Sequence, residues 1–145
     1  MEIIEGKTAT FSMLEKNILL VTMKENAEVE LADAKENYEI ALRLTAGNRY
    51  VSFVDARNYA TITDEARNFS TQPYIYANVI AQAIVVTSLA SRLLVNFLIK
   101  VHKKNKNVEM QLFNDYDKAL NWLKQKLAED KTDAVVQTKN LTVLF

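Results

Sequence analysis

At 145 residues, 49% of them apolar and 25% charged, the chain has the size and balance of one globular domain, with core enough to need no covalent staple. Its 18 basic and 18 acidic side chains cancel, so the electrostatic footprint of a nucleic-acid binder is missing and no nucleic-acid partner is expected. The lack of cysteine excludes disulfides, thiolate nucleophiles, cysteine zinc sites and iron–sulfur centres, and it fits a reducing, cytoplasmic setting.

The acidic N-terminus, Met1-Glu2-Ile3-Ile4-Glu5, opens directly into structure and does not read as a secretory signal. Thr8 to Met13 alternates, with Ala9, Phe11 and Met13 on one face, and predicts a half-buried strand. Glu15-Lys16-Asn17 supplies a turn and Ile18 to Met23 a second, more buried strand, together an antiparallel hairpin. Over residues 29–46 the period changes to that of a helix, with Leu31, Ala34, Tyr38, Ala41, Leu42 and Thr45 inward and Glu30, Asp33, Glu36 and Arg43 in water. Gly47 follows where a left-handed cap is expected.

Tyr50 to Val54 is strand-like, with Asp55-Ala56-Arg57 at its carboxyl end. Thr63 is placed to cap a helix running to about Gln72, and Asp64 and Glu65 in its first turn suit the positive end of the helix dipole. Pro73 interrupts, and Tyr74 to Ile80 reads as a further helical turn or two. Ala83 to Thr87 is a short β-branched run of the kind found in central strands. Residues 68–91 carry no formal charge, but Asn68, Gln72, Asn78 and Gln82 break the run and no membrane span is expected. A helix over 89–103 follows, then a strand from Val108 to Phe113. A last helix, capped by Asn114 or Asp115, extends to about Ala128 with Tyr116, Ala119, Leu120, Leu123 and Leu127 inward. The tail 129–145 ends in Leu141-Thr142-Val143-Leu144-Phe145, which reads as one more strand.

Strands alternating with helices predict an α/β fold with a mostly parallel sheet of about five strands and about four main helices. The fragments VELADAKENY at 29–38, VDAR at 54–57, TDEARNF at 63–69 and ALNWL at 119–123 carry a resemblance to the STAS-like (SpoIIAA-like) domains over about residues 5–128. This superfamily includes bacterial anti-sigma-factor antagonists and cytoplasmic domains of sulfate transporters, and the chain looks closest to an uncharacterised bacterial branch. The resemblance implies a two-layer domain that acts as a protein-interaction or regulatory module. In the antagonists a phosphorylatable serine in an Asp-Ser-Ser-Gly-type motif switches partner binding. The corresponding stretch here is Ile62-Thr63-Asp64-Glu65, with neither serine nor glycine, so Thr63 is the only phosphoryl acceptor and Asp64 a fixed negative charge in its place.

Ordinary catalytic patterns are missing. Gly6 and Gly47 cannot build a phosphate cradle, and His102, the only histidine, has lysines as neighbours rather than a nucleophile or metal ligands. No cofactor or metal is expected. Asp55 and Arg57 lie at a strand end, where open α/β sheets bind ligands, but an ion pair that anchors the loop is the commoner use of such residues. Asp64, Glu65 and Arg67 divide in the same way between a site and helix-end electrostatics. Lys103, Lys104 and Lys106 form a basic turn. The helix 89–103 adds Leu89, Val95 and Ile99 to its main apolar face, leaving Arg92, Asn96, Lys100 and Lys103 as its polar stripe; it is either deeply buried or covered by a partner.

Three readings follow. The first is a regulatory module that binds a protein partner or itself through helix faces at 63–80 and 89–103. The second is a carrier of a small apolar ligand, with a cavity lined by Tyr74, Ile80 and Phe97. The third is an enzyme using Asp55, Arg57 and Asp64.

Overall fold

The computed structural model describes residues 2–58, 60–87, 100–101, 103–105 and 108–144, with side chains described as far as Lys131. Strand β1 (Ile3–Glu5) pairs antiparallel with β2 (Ala9–Glu15), and β2 pairs antiparallel with β3 (Ile18–Met23). Asn17 takes the left-handed φ of 66° in the tight turn between β2 and β3, a conformation asparagine tolerates better than most residues. The next strands, β5 (Tyr50–Asp55), β7 (Val79–Val85) and β8 (Glu109–Phe113), add in parallel, so the main sheet runs β1-β2-β3-β5-β7-β8. Two short strands, β4 (Ala27–Val29) and β6 (Ala60–Ile62), form a separate parallel ribbon. The main sheet thus has six strands where about five were expected. The helices among the described residues are α1 (Leu31–Thr45), α2 (Asp64–Ser70) and α3 (Tyr116–Leu144), and Lys100, Val101, Lys103 and Lys104 are also helical.

The strand order explains where the helices go. Each parallel strand is laid beside the previous one in a single direction, and crossovers of one hand then put the connecting helices on one face of the sheet. The other face is left for α3, which follows the last strand. Because side chains alternate along a strand, Val51 and Phe53 point to one face while Tyr50, Ser52 and Val54 point to the other. Val51 and Phe53 join Ala81, Ala83 and Val85 of β7 against Ala119, Leu123 and Leu127 of α3. On the opposite face Leu19, Tyr50 and Val79 pack with Ala41 and Leu44 of α1, and Phe11 packs with Ile40. The domain therefore has helices on both faces of the sheet rather than the two layers implied by the resemblance. No helix among the described residues is long and apolar enough to cross a membrane.

Several local expectations are corrected. The inner face of α1 is rotated by about one position: Leu31 and Leu42 are exposed, whereas Ile40 is buried and so is Asp33. Asp33 belongs inside because its carboxylate accepts a 2.9 Å hydrogen bond from the Glu30 backbone, half of a reciprocal capping box. Ala46, not Gly47, is the left-handed cap of α1, with φ 52°, and Gly47 continues in the same region at 77°. Pro73–Tyr76 forms a single 3-10 turn, and Val79 and Ile80, expected to be helical, already belong to β7. The tail is not a strand, since α3 continues through Leu144. Most of the expected helix 89–103 lies outside the described residues.

Candidate functional site

Asp55 and Arg57 are brought together. Asp55 is buried at the end of β5, and Arg57 wraps back on it: its backbone N–H and Nε donate to Oδ1 at 3.2 and 2.9 Å, and Nη2 donates to Oδ2 at 2.7 Å. Burial pushes the Asp55 carboxyl up, but the side-chain and backbone hydrogen bonds and the charge of Arg57 outweigh it, so the net shift is downward. The guanidinium also lies over the Tyr116 ring, 5.4 Å from its centroid, and that ring packs on Phe53 at 4.7 Å. Both carboxylate oxygens are occupied, and the pair ties the end of β5 to the start of α3.

Thr63 is the N-cap of α2, its hydroxyl accepting from the Ala66 N–H at 3.2 Å. Asp64 is exposed and meets Arg67 one turn on at 3.5 Å, while Arg67 Nε is buried without a hydrogen-bond partner among the described residues. In the basic turn, Lys104 donates to the Thr71 hydroxyl at 3.3 Å, and Asn105, itself buried, donates to the Thr71 and Val101 carbonyls. Arg92, Val95, Asn96, Ile99, His102 and Lys106 lie outside the described residues, as does Phe97. Among the described residues no three His, Cys, Asp or Glu side chains gather to hold a metal.

A cavity lies elsewhere. A partly open cavity of about 250 Å³ separates the sheet from α1, α2 and the β4–β6 ribbon. Its floor is the sheet face carrying Phe11, Leu19, Val21, Ser52, Val54, Gln82 and Ile84. Ala34, Asn37, Tyr38 and Ala41 of α1 cover it, with Phe69 of α2 and Ile62 of β6 at the side and Tyr50, Ile75, Tyr76 and Val79 at one end. None of the described lining residues carries a charge. Tyr38, Phe69 and Tyr74 meet edge to face at 5.7–6.3 Å beside it. Two of the expected lining residues are elsewhere: neither Tyr74 nor Ile80 lines the cavity, and Ile80 packs with the α3 cluster on the opposite face.

The polar atoms of this cavity are few and specific. Ser52 and Gln82 stand opposite each other in the register of β5 and β7, and Gln82 Nε2 donates to Ser52 Oγ at 3.2 Å. Asn37 donates to Thr8 Oγ1 at 3.3 Å, leaving its Oδ1 buried without a partner among the described residues. Burial pushes the Tyr50 phenol up to about 12, with Tyr38 adding to the effect. Burial, then Tyr50, pushes the Tyr76 phenol higher still. Sequence reasoning missed this group, although Ser52 and Gln82 are polar interruptions in two otherwise apolar central strands.

A crystal structure of an uncharacterised DUF3478-family protein from Shewanella loihica PV-4, described as having a SpoIIAA-like fold, matches with a TM-score of 0.54. The match has 13% sequence identity and covers 84% of this chain and 90% of that one. No curated protein is similar in sequence. The model of a family described as a domain of unknown function, DUF7793, matches residues 12–127. With that match covering most of its length, the chain belongs to the DUF7793 family, and its fold is SpoIIAA-like.

Proposed function

We propose that this SpoIIAA-like domain is a non-catalytic module that holds a small, largely apolar molecule between its sheet and α1. The cavity carries this reading. Protein interiors are packed to crystal-like density, and voids larger than a water molecule are few. At about 24 cal/mol per Å³, an enclosed void of about 250 Å³ would cost on the order of 6 kcal/mol, comparable to the whole stability of a small domain. The opening to solvent lowers that figure, yet the space is bounded by large side chains from both the sheet and the helices over it, which contact with an occupant would repay. Apolar walls with a few convergent polar groups are the usual composition of a small-molecule site.

Asp55, Arg57, Thr63 and Asp64 have holding roles in this reading, since none of them lines the cavity. The enzyme reading loses one of its two proposed carboxylates, because Asp55 is fully engaged by Arg57. A module that binds a protein partner or itself is the second reading. Among the described residues Ile3, Leu31, Leu42 and Tyr74 are the exposed large apolar side chains, and they sit on three different elements. Single exposed apolar residues are normal on protein surfaces, so the cavity is the stronger observation.

The test is native mass spectrometry of the purified protein together with a fluorescence titration with 1-naphthol, a neutral two-ring probe. A retained small molecule, or saturable binding of one naphthol per chain, is the expected result. A folded protein with no adduct and no naphthol binding would sink the proposal.

A further inference from the structure

Resting on that reading, we infer that the cavity takes an uncharged molecule of about two fused rings, whose carbonyl or hydroxyl oxygen is hydrogen-bonded by Tyr50 and Tyr76. Size comes first. A cavity of about 150 Å³ accepts benzene, so about 250 Å³ suits a bicyclic skeleton or a chain of similar bulk. Charge comes second. An ionised group taken from water needs a partner of opposite sign, and no Lys, Arg, His, Asp or Glu is among the described lining residues.

The third step concerns the polar atoms. A buried tyrosine hydroxyl normally finds a hydrogen-bond partner. Tyr50 and Tyr76 are each only 8% exposed and both line the cavity; neither hydroxyl bonds to another described residue, and neither is among the buried polar atoms left without a partner, so both oxygens keep some accessible surface. The phenols stand close enough to influence one another, and burial raises both above the ordinary phenol value, so both are neutral at neutral pH. Both are neutral phenols in the cavity wall, able to donate to an oxygen placed against them. Across the floor the Ser52–Gln82 pair uses one Gln82 N–H, and the Gln82 amide oxygen has no partner among the described residues. Asn37 adds a second unpartnered amide oxygen at the roof. An oxygen-bearing neutral molecule satisfies this set; a hydrocarbon leaves the phenols unpaired, and a carboxylate meets no cation among the described lining residues.

Calorimetric titration of the whole protein with tetralin, 1-tetralone and 1-naphthoate separates these cases. Tetralone is expected to bind about tenfold more tightly than tetralin, the combined worth of two modest hydrogen bonds, and naphthoate more weakly than either. Tyr50→Phe and Tyr76→Phe each remove one oxygen and no carbon, and each should lower the ratio of tetralone to tetralin affinity about threefold. Should either variant fail to fold, the ratio of tetralone to tetralin affinity in the unaltered protein decides alone. Equal binding of the two, or a preference for naphthoate, overturns this inference but leaves the cavity as a binding site. If none of the three binds, the functional reading falls and this inference falls with it.

Discussion

Replacing Ala41 with leucine probes the cavity from its roof. Ala41 lies within α1, half-buried, lining the cavity and packed near Leu19, Tyr50 and Val79. The substitution adds three carbons. In a filled core they would force neighbours off their rotamers and cost about 1–3 kcal/mol. In an empty apolar space of about 250 Å³ they have room, and each buried carbon is worth roughly 0.8 kcal/mol. Leucine is nearly as good a helix former as alanine, so propensity subtracts only a few tenths of a kcal/mol. The expected net effect is a gain of about 2 kcal/mol, or roughly 8 °C in Tm at about 4 °C per kcal/mol for a domain of this size. Urea and thermal unfolding of the ligand-free protein measure it, and a naphthol titration of the same variant should show binding weakened by more than tenfold. A loss of stability of about 1 kcal/mol or more, with naphthol binding unchanged, would refute the reasoning, because the space would then not be where Ala41 points.

The remaining predictions concern the groups that hold the fold around that space. The Asp55 carboxyl is held below its ordinary value in the folded chain, so its contribution is fully present above the unfolded value near 3.8 and is lost as pH falls through the lower folded value. Asp55→Asn should therefore cost about 1–3 kcal/mol near neutral pH, a gap that closes on acidification; a gap constant from pH 7 down to about 2.5 in urea unfolding would contradict the ion pair. The phenols act at the other extreme: with Tyr50 raised to about 12, its contribution is intact below pH 10 and declines by about 1.4 kcal/mol per pH unit from there to 12. In an alkaline absorbance titration of the six tyrosines, Tyr50 and Tyr76 should ionise last or only on unfolding, and a single step for all six in a protein still folded by circular dichroism would show them accessible. Truncation after Lys131 keeps Leu123 and Leu127 and should leave a cooperatively folding domain. Truncation after Asn121 removes both, at about 2–5 kcal/mol each, and should not fold; a sharp unfolding transition for that shorter chain would show that α3 is dispensable to the sheet.

Much of the architecture was readable because the longer elements announce themselves by period. Ile18–Met23 has the predicted bounds, and the hairpin pairing, the capping of α2 by Thr63 and the inward face of α3 at Ala119, Leu123 and Leu127 follow the pattern of the residues. Ile3–Glu5, Ala27–Val29 and Ala60–Ile62 did not, since three residues are too few to show alternation. The inner face of α1 was misplaced because Asp33 counts as polar, although the capping box satisfies its carboxylate and lets it be buried. Tyr74 to Ile80 looked helical after Pro73, whereas tertiary pairing takes Val79 into the sheet opposite Tyr50.

The cavity was the hardest feature to read, and the reason is geometric. Its walls are assembled from positions as far apart as Phe11, Tyr38, Ser52, Ile62 and Ile84, no two of which share a local motif. Sequence pattern reports which face of an element is apolar, but the volume between two apolar faces depends on how closely they approach. Where α3 meets the sheet, alanines at 81, 83 and 119 let large neighbours such as Phe53 and Leu123 interlock, and those side chains are fully buried. On the other face the small residues Ala34 and Ala41 stand on α1 above Ser52 and Gln82, which bond to each other across the strands instead of reaching upward. Small residues on the helix over laterally paired polar residues on the sheet leave a gap, while Tyr50 and Tyr76 at its end keep unspent hydroxyls. That combination, rather than any motif, separates the hollow face of the sheet from the packed one.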